Sequence, residues 1–147
     1  MKESIINAYI EQIQDKIDTY QFMIQSLAED AQNDAKSSAG DKHETGLSMM
    51  HLEQEKLNAK LSEVLDQKKV LTSIDVLQKH QIIKQGSLVE TENFIFLVAI
   101  ALPQWTYQNK TVFGVSLFAP LAQQLIQKKL GDTLQIGPKK QTITNVE

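Results

Sequence analysis

Two runs of apolar residues, each spaced alternately by four and three positions, constrain this chain more than any other feature. The first is Ile6, Ile10, Ile13, Ile17, Tyr20, Ile24, Leu27 and Ala31; the second is Leu47, Met50, Gln54, Leu57, Leu61, Val64, Lys68 and Leu71. Such a pattern is the a/d seam of a coiled coil, sustained here over more than three heptads in each run. Neither Pro nor Gly occurs between Met1 and Ala39, so the first run predicts one uninterrupted helix, roughly 45 Å long for about 30 residues. Gln54 and Lys68 interrupt the second seam with polar groups, which set register at some cost in stability. The remaining positions are rich in Glu, Lys and Gln, as a solvated outer face requires.

Between the runs, Ser37, Ser38, Gly40 and Gly46 favour a turn. An antiparallel hairpin satisfies both seams within one chain, whereas a parallel dimer would have to carry those glycines inside a helix. The hairpin is the expected form. Its tip would gather Glu29, Asp30, Asp34, Asp41 and Glu44.

The helical pattern fades at Ile74 to Lys79, and Gln85-Gly86-Ser87 marks a break. Beyond it, Leu88 and the run Phe94 to Leu102 read as a buried strand stopped by Pro103, and Thr111 to Phe118 as a second. Pro120 opens a helix over LAQQLIQKKL that Gly131 closes. Two further strands, Asp132 to Ile136 and Gln141 to Val146, would be joined through Gly137-Pro138-Lys139-Lys140. The expected fold class is α+β: a helical hairpin over residues 1–79, then residues 80–147 as an antiparallel sheet carrying one helix.

Composition narrows the chemistry. A formal net charge of -3 argues against a general nucleic-acid binder with a broad basic face. The absence of cysteine removes disulfides, thiolate zinc sites and cysteine nucleophiles. Three histidines, His43, His51 and His80, are little material for a histidine metal site. The charged N-terminus lacks a signal-peptide core, and FIFLVAIAL is far short of the ~20 residues a spanning helix needs, so a cytoplasmic protein is expected. No phosphate-binding glycine loop, nucleophile elbow or HExxH is present, so a self-contained enzyme has no visible machinery.

The sharpest constellation is Gly40-Asp41-Lys42-His43-Glu44. On a helical turn, carboxylates three residues apart share a face, and two of them suit a hard cation such as Mg²⁺ when other ligands come from elsewhere. The same spacing is also a capping box, with Asp41 at the N-cap and Glu44 at N3, and spacing alone favours the cap. His43 and His51 read as exposed, and Met49 and Met50 as filling for the hairpin. Trp105 and Tyr107 suit either a partner anchor or edge-strand packing. Lys139 and Lys140 read as a solvated basic turn.

These residues together resemble the bacterial Gre family of transcript-cleavage factors, along essentially the whole chain. In the tip, Gly40-Asp41, Glu44 and Glu53-Gln54 are similar to the family pattern GD-x-x-E followed by E-Q. In the second domain, Ala119-Pro120-Leu121-Ala122, Leu125-Ile126, Lys128-Lys129 and Leu130-Gly131-Asp132-Thr133 resemble the stretch SP-L-A…L-I-G-K-K-V-G-D. The chain departs from the pattern at Thr45-Gly46-Leu47-Ser48, where the family has Asn-Ala-Glu-Tyr, and at Ala119, where it has serine.

The resemblance implies a coiled-coil hairpin followed by an FKBP-like domain that docks on RNA polymerase, with Pro120, Leu121, Gly131 and Asp132 as docking-motif residues. It implies an accessory factor rather than an enzyme, which inserts its hairpin into the secondary channel. Asp41 and Glu44 would there support a Mg²⁺ shared with the polymerase, whose own active site cleaves the backtracked RNA near its 3′ end. Neither a membrane nor sequence-specific DNA binding is implied. The departures leave two further readings open: a channel-binding regulator that does not stimulate cleavage, and a coiled-coil adaptor for another protein. Peptidyl-prolyl isomerase activity would rest on fold alone and is set aside.

Overall fold

The computed structural model describes residues 1–35 and 41–147, with side chains left undescribed at 34–35 and 41–44. The predicted turn residues Ser37, Ser38 and Gly40 therefore lie outside the described residues. Two long helices lead the chain, α1 (Lys2–Ala35) and α2 (Asp41–Thr72). At 1.5 Å per residue their 34 and 32 residues make rods of roughly 50 Å each. No helix among the described residues is long and apolar enough to cross a membrane.

Seven strands and one short helix follow: β1 (Leu88–Glu90), β2 (Phe94–Ala99), β3 (Leu102–Tyr107), β4 (Lys110–Ser116), α3 (Pro120–Leu125), β5 (Thr133–Ile136), β6 (Lys139–Thr142) and β7 (Asn145–Val146). The chain is thus the expected α+β protein, a helical hairpin followed by a small, mostly antiparallel sheet domain. Its compact units divide within the long helices. Met1–Tyr9 and Val70–Glu147 form one unit, Ile10–Lys69 the other.

In the helical unit the seams are where the spacing places them. Ile13, Ile17, Leu57 and Val64 are buried, with Tyr20, Ile24, Leu27, Leu47, Met50 and Leu61 half-buried. Lys68, the polar break in the second seam, donates through Nζ to Gln14 Oε1 at 2.7 Å. Leu27 and Leu57 line one groove farther along. Falling positions on α2 thus meet rising positions on α1, so the helices run antiparallel.

Gly46 does not belong to the turn, as its glycine character suggested; it lies inside α2. A Cβ built there meets nothing within 4 Å. The helix tolerates the glycine because extending the seam outweighs its propensity penalty of about 1 kcal/mol. Gly46→Ala is accordingly expected to stabilise the hairpin by about 1 kcal/mol, read as a raised midpoint in thermal or denaturant unfolding. An unchanged or lowered midpoint would mean that α2 is not helical through Gly46 in solution.

The larger sheet has the order β3-β4-β2-β1-β7, and β5 and β6 make a separate hairpin. It departs from the antiparallel expectation at its centre, where β2 and β4 run parallel, Phe96 facing Phe113. The reason is a missed strand. Pro103 does not end the structure but sits in β3, at the edge of the sheet, where its missing N–H costs no ladder bond. The chain leaves β2, passes β4's place, returns as edge strand β3, and turns through Gln108 and Asn109 into β4. Positive φ values of 48° and 65° at those two residues fit a two-residue hairpin turn of type I′. Across β5–β6, Gly137 with φ 58° leads Pro138 round an equally tight turn, so Lys139 and Lys140 begin β6 rather than sit in a loop.

The helix α3 is also shorter than expected. It stops at Leu125 because Ile83 captures the following chain: Ile83 donates to the Lys128 carbonyl at 2.8 Å and Gln127 donates to that of Ile83 at 3.0 Å. Gln127 takes φ 73° to make the exit. A local helix preference yields here to a nonlocal pairing.

Strand β2 is buried on both faces, which is why its sequence is continuously apolar rather than alternating. Phe96 and Val98 join Ala122 and Leu125 of α3 in one cluster. Ile95 and Leu97 point the other way and are equally buried, in the unit that also buries Ile5, Ile6 and Tyr9. The sequence boundary at 79/80 marks where helical spacing fades. The compact unit instead takes in both helix ends, because a sheet with one six-residue helix needs a second cover. Tyr9 makes that contact explicit: its hydroxyl donates to the Pro103 carbonyl at 3.1 Å, and its ring meets Trp105 edge-on at 5.9 Å.

Candidate functional site

The acids singled out in the tip are Asp41 and Glu44. Helix α2 opens at Asp41, so both lie within its first turn by backbone position. Their side chains, and that of His43, lie outside the described residues. Glu29 and Asp30 are exposed near the end of α1, and Glu53 is exposed on α2 beside half-buried Gln54. Among the described residues no three His, Cys, Asp or Glu side chains gather into a group able to hold a metal. As donors, two carboxylates suit a hard, oxygen-seeking cation but are too few to hold one unaided.

The methionines separate. Met50 is half-buried in the seam, but Met49 is 66% exposed and fills no hairpin packing. One heptad position from the seam is enough to turn it outward. His51 is exposed, as expected. Phe22 and Met23 are likewise exposed, and with Leu27 and Leu57 they line an open groove of about 230 Å³ edged by Asp30 and Glu53. Sequence reasoning passed over these residues. Their signal was there, since Phe22 and Met23 fall between seam positions Tyr20 and Ile24.

In the sheet unit each docking-motif residue has a local structural task. Pro120 starts α3, where its missing N–H is harmless. Leu121 packs on the core behind that helix. Gly131 adopts φ 89°, and its N–H donates to the Ile143 carbonyl at 2.9 Å. Asp132 accepts the Lys129 N–H through Oδ2 at 2.9 Å, and its carbonyl accepts from Ile143 at 2.8 Å. Beside Pro120, Phe118 is 88% exposed, and Leu130 next to Gly131 is 61% exposed. The motif therefore shapes two surface turns, each presenting a large apolar side chain.

Trp105 and Tyr107 resolve toward edge packing. Both lie on β3, with their rings 5.8 Å apart and nearly perpendicular. The indole Nε1 of Trp105 is buried and meets no hydrogen-bond partner among the described residues. Burial pushes the Tyr9 phenol up to about 12, against Trp105 and the Gly114 backbone, which both lower it.

One cluster was not anticipated. Lys2 is 2% exposed and lines an open cavity of about 480 Å³ with His80, Lys84 and Asp75. Lys2 stands three and four residues before buried Ile5 and Ile6, so helical spacing alone places it on the inner face. His80, 9% exposed, shares a 2.6 Å hydrogen bond between Nδ1 and Ser87 Oγ. Burial, then the charges of Lys2 and Lys84, hold its pKa below the ordinary 6.5.

A group whose folded pKa is lowered in this way is neutral in the native state while the unfolded chain still takes up a proton near 6.5. Its contribution to stability is complete above 6.5 and declines as the pH falls from there toward the folded value. The unfolding free energy is expected to drop across that window, and less so in His80→Gln. An NMR titration placing the His80 ring at or above 6.5 would contradict this.

No family model matches the chain, and no curated protein sequence matches it. Among solved structures, one described as the structure of the transcription factor Gfh1 aligns over 93% of this chain and 90% of that one, with 18% identity and a TM-score of 0.38. A likeness at that level bears on neither activity nor partner.

Proposed function

We propose that this chain is a Gre-like factor that binds RNA polymerase through the secondary channel and stimulates cleavage of backtracked RNA. The observation that carries the reading is the start of α2 at Asp41, with Glu44 in the same first turn, where a helix of 32 residues follows one of 34. Rods of roughly 50 Å suit delivery of carboxylates into a deep channel. The tip pattern Gly40-Asp41…Glu44…Glu53-Gln54 and the motif around Pro120 and Gly131 support the same reading.

In this role Asp41 and Glu44 would supply oxygens to a Mg²⁺ shared with the polymerase. That ion's chemistry is activation of water for phosphodiester hydrolysis. The factor binds no metal stably by itself. The sheet domain would dock on the outside of the enzyme through the turns that present Phe118 and Leu130.

Stalled, backtracked complexes of the cognate polymerase test the proposal. With Mg²⁺, the protein should raise 3′ RNA cleavage, and Asp41→Asn/Glu44→Gln should abolish that rise while retaining binding. A second reading, a channel binder without cleavage activity, is favoured by Thr45-Gly46-Leu47-Ser48 in place of the family's Asn-Ala-Glu-Tyr. Binding that leaves the RNA intact would establish it. Absence of polymerase binding would remove both and leave the adaptor reading.

A further inference from the structure

The cavity beneath the sheet unit's helix ends contains a lysine in an uncommon position. Lysine is almost never fully buried without a charge partner. Lys2 is 2% exposed, yet its ammonium donates to a neutral acceptor, the Gln78 carbonyl, at 3.0 Å. Among the described residues, neither ion pair involves it. Asp75 and Glu147 are close enough to favour its charge, but Glu147 Oε2 accepts from the Lys2 backbone N–H and Asp75 Oδ1 from that of Leu77. Burial and the nearby Lys84 more than offset both carboxylates, and the Lys2 pKa is lowered. The ammonium has three donors, and beyond the Gln78 carbonyl they meet no acceptor among the described residues.

Two more donors face the same space. Lys84 lines the cavity with an exposed side chain. The Ser87 hydroxyl accepts the Lys84 backbone N–H at 3.0 Å, so its own proton is available to His80 Nδ1. With that proton donated to Nδ1, the neutral ring carries its own on Nε2, which has no protein partner among the described residues and is the ring's one donor. Lys2, Lys84 and His80 thus offer three donors around one opening. Asp75 is the acidic group on its wall. Val70, Ile74 and Ala99 add apolar surface, and about 480 Å³ is the size of a small-molecule site rather than of one ion.

We propose that this cavity is a binding site for a phosphate monoester, its phosphate held by Lys2, Lys84 and His80 and its organic body against the apolar wall. A phosphate presents three oxygens to three donors, where a carboxylate presents two. The buried ammonium would thereby gain a directly bonded anionic partner, which neither Asp75 nor Glu147 supplies. The site lies in the sheet unit and is independent of the polymerase reading.

Calorimetric titration of the full-length protein with inorganic phosphate and with adenosine monophosphate tests this, at constant ionic strength and with chloride as control. Saturable binding is expected for both, tighter for the monophosphate, together with a shift of the His80 ring resonances. Lys84→Gln should weaken binding about tenfold, since one charge-assisted hydrogen bond is lost. Lys2→Met should weaken it at least as much; the exposed Lys84 variant keeps the test intact if burial makes Lys2→Met fold poorly. Equal affinity for phosphate and monophosphate would overturn the organic subsite and reduce the site to a free-anion site. Chloride-like binding of both, or saturable binding that Lys84→Gln leaves unchanged, would overturn the site altogether.

Discussion

Phe96→Ala is expected to lower the unfolding free energy by about 4 kcal/mol. Phe96 is fully buried at the centre of β2. Its ring stacks on Phe113 at 5.7 Å with an interplanar angle of 17°, and meets Phe94 at 5.9 Å. Phe113 is also its partner across the parallel β2–β4 register. Truncation removes the transfer energy of a phenyl ring and leaves a cavity between two rings that the strand backbones prevent from closing. Urea unfolding followed by the fluorescence of the lone tryptophan, Trp105, reports on this unit. The midpoint should fall with an unchanged slope. A loss below about 1 kcal/mol would mean that the aromatic cluster repacks freely.

The second large effect comes from adding one carbon. Gly114 lies in β4 opposite Leu102 of β3. A Cβ there would stand 2.5 Å from Leu102 Cβ and 2.8 Å from both the Ile100 carbonyl oxygen and Leu102 Cδ1. The Leu102 side-chain tip could rotate away, but a backbone carbonyl and a Cβ move only with the chain. The β3–β4 pairing is already irregular between Leu102 and Trp105, next to this contact. Gly114→Ala is therefore expected to cost about 3 kcal/mol, the upper end for overpacking. Amide hydrogen exchange should quicken in β3 before the rest of the sheet, because the edge strand is the element that can move. If exchange and stability stay unchanged, β3 does not approach β4 as closely in solution.

Much of the helical half was legible. Residues spaced by threes and fours meet only on a helix, so Ile13, Ile17, Leu57 and Val64 declared both the helices and their buried faces. Lys68 even announced itself as a break in the seam, and it bonds Gln14 across the hairpin. Gly46 points locally to a turn yet lies inside α2, because glycine marks turns by permission rather than by demand. Asp41 and Glu44 stand in the first turn of α2 by backbone position, the placement that their three-residue spacing needs to share a helical face.

The sheet half was read less completely, for a different reason. Pro103 reads locally as a stop, although an edge strand tolerates proline; whether a strand is at an edge depends on residues distant in sequence. The helix after Pro120 was overlong because Ile83, some forty positions away, takes the chain at Gln127 and Lys128. The Lys2 cluster required two helix ends and the segment around Ser87 to meet.

By itself, then, the sequence determined the two amphipathic rods, the polar interval between them, the apolar strand β2 and the turn chemistry at Pro120 and Gly131. Each is a local property, set by side-chain periodicity and backbone preference over a few residues. Tertiary structure alone decided the parallel pairing of β2 with β4, the edge place of β3, the early end of α3, and the assembly of Lys2, His80 and Lys84 around one cavity. These depend on which distant backbone groups satisfy one another and on which faces of a small sheet must be covered, and periodicity carries no record of either.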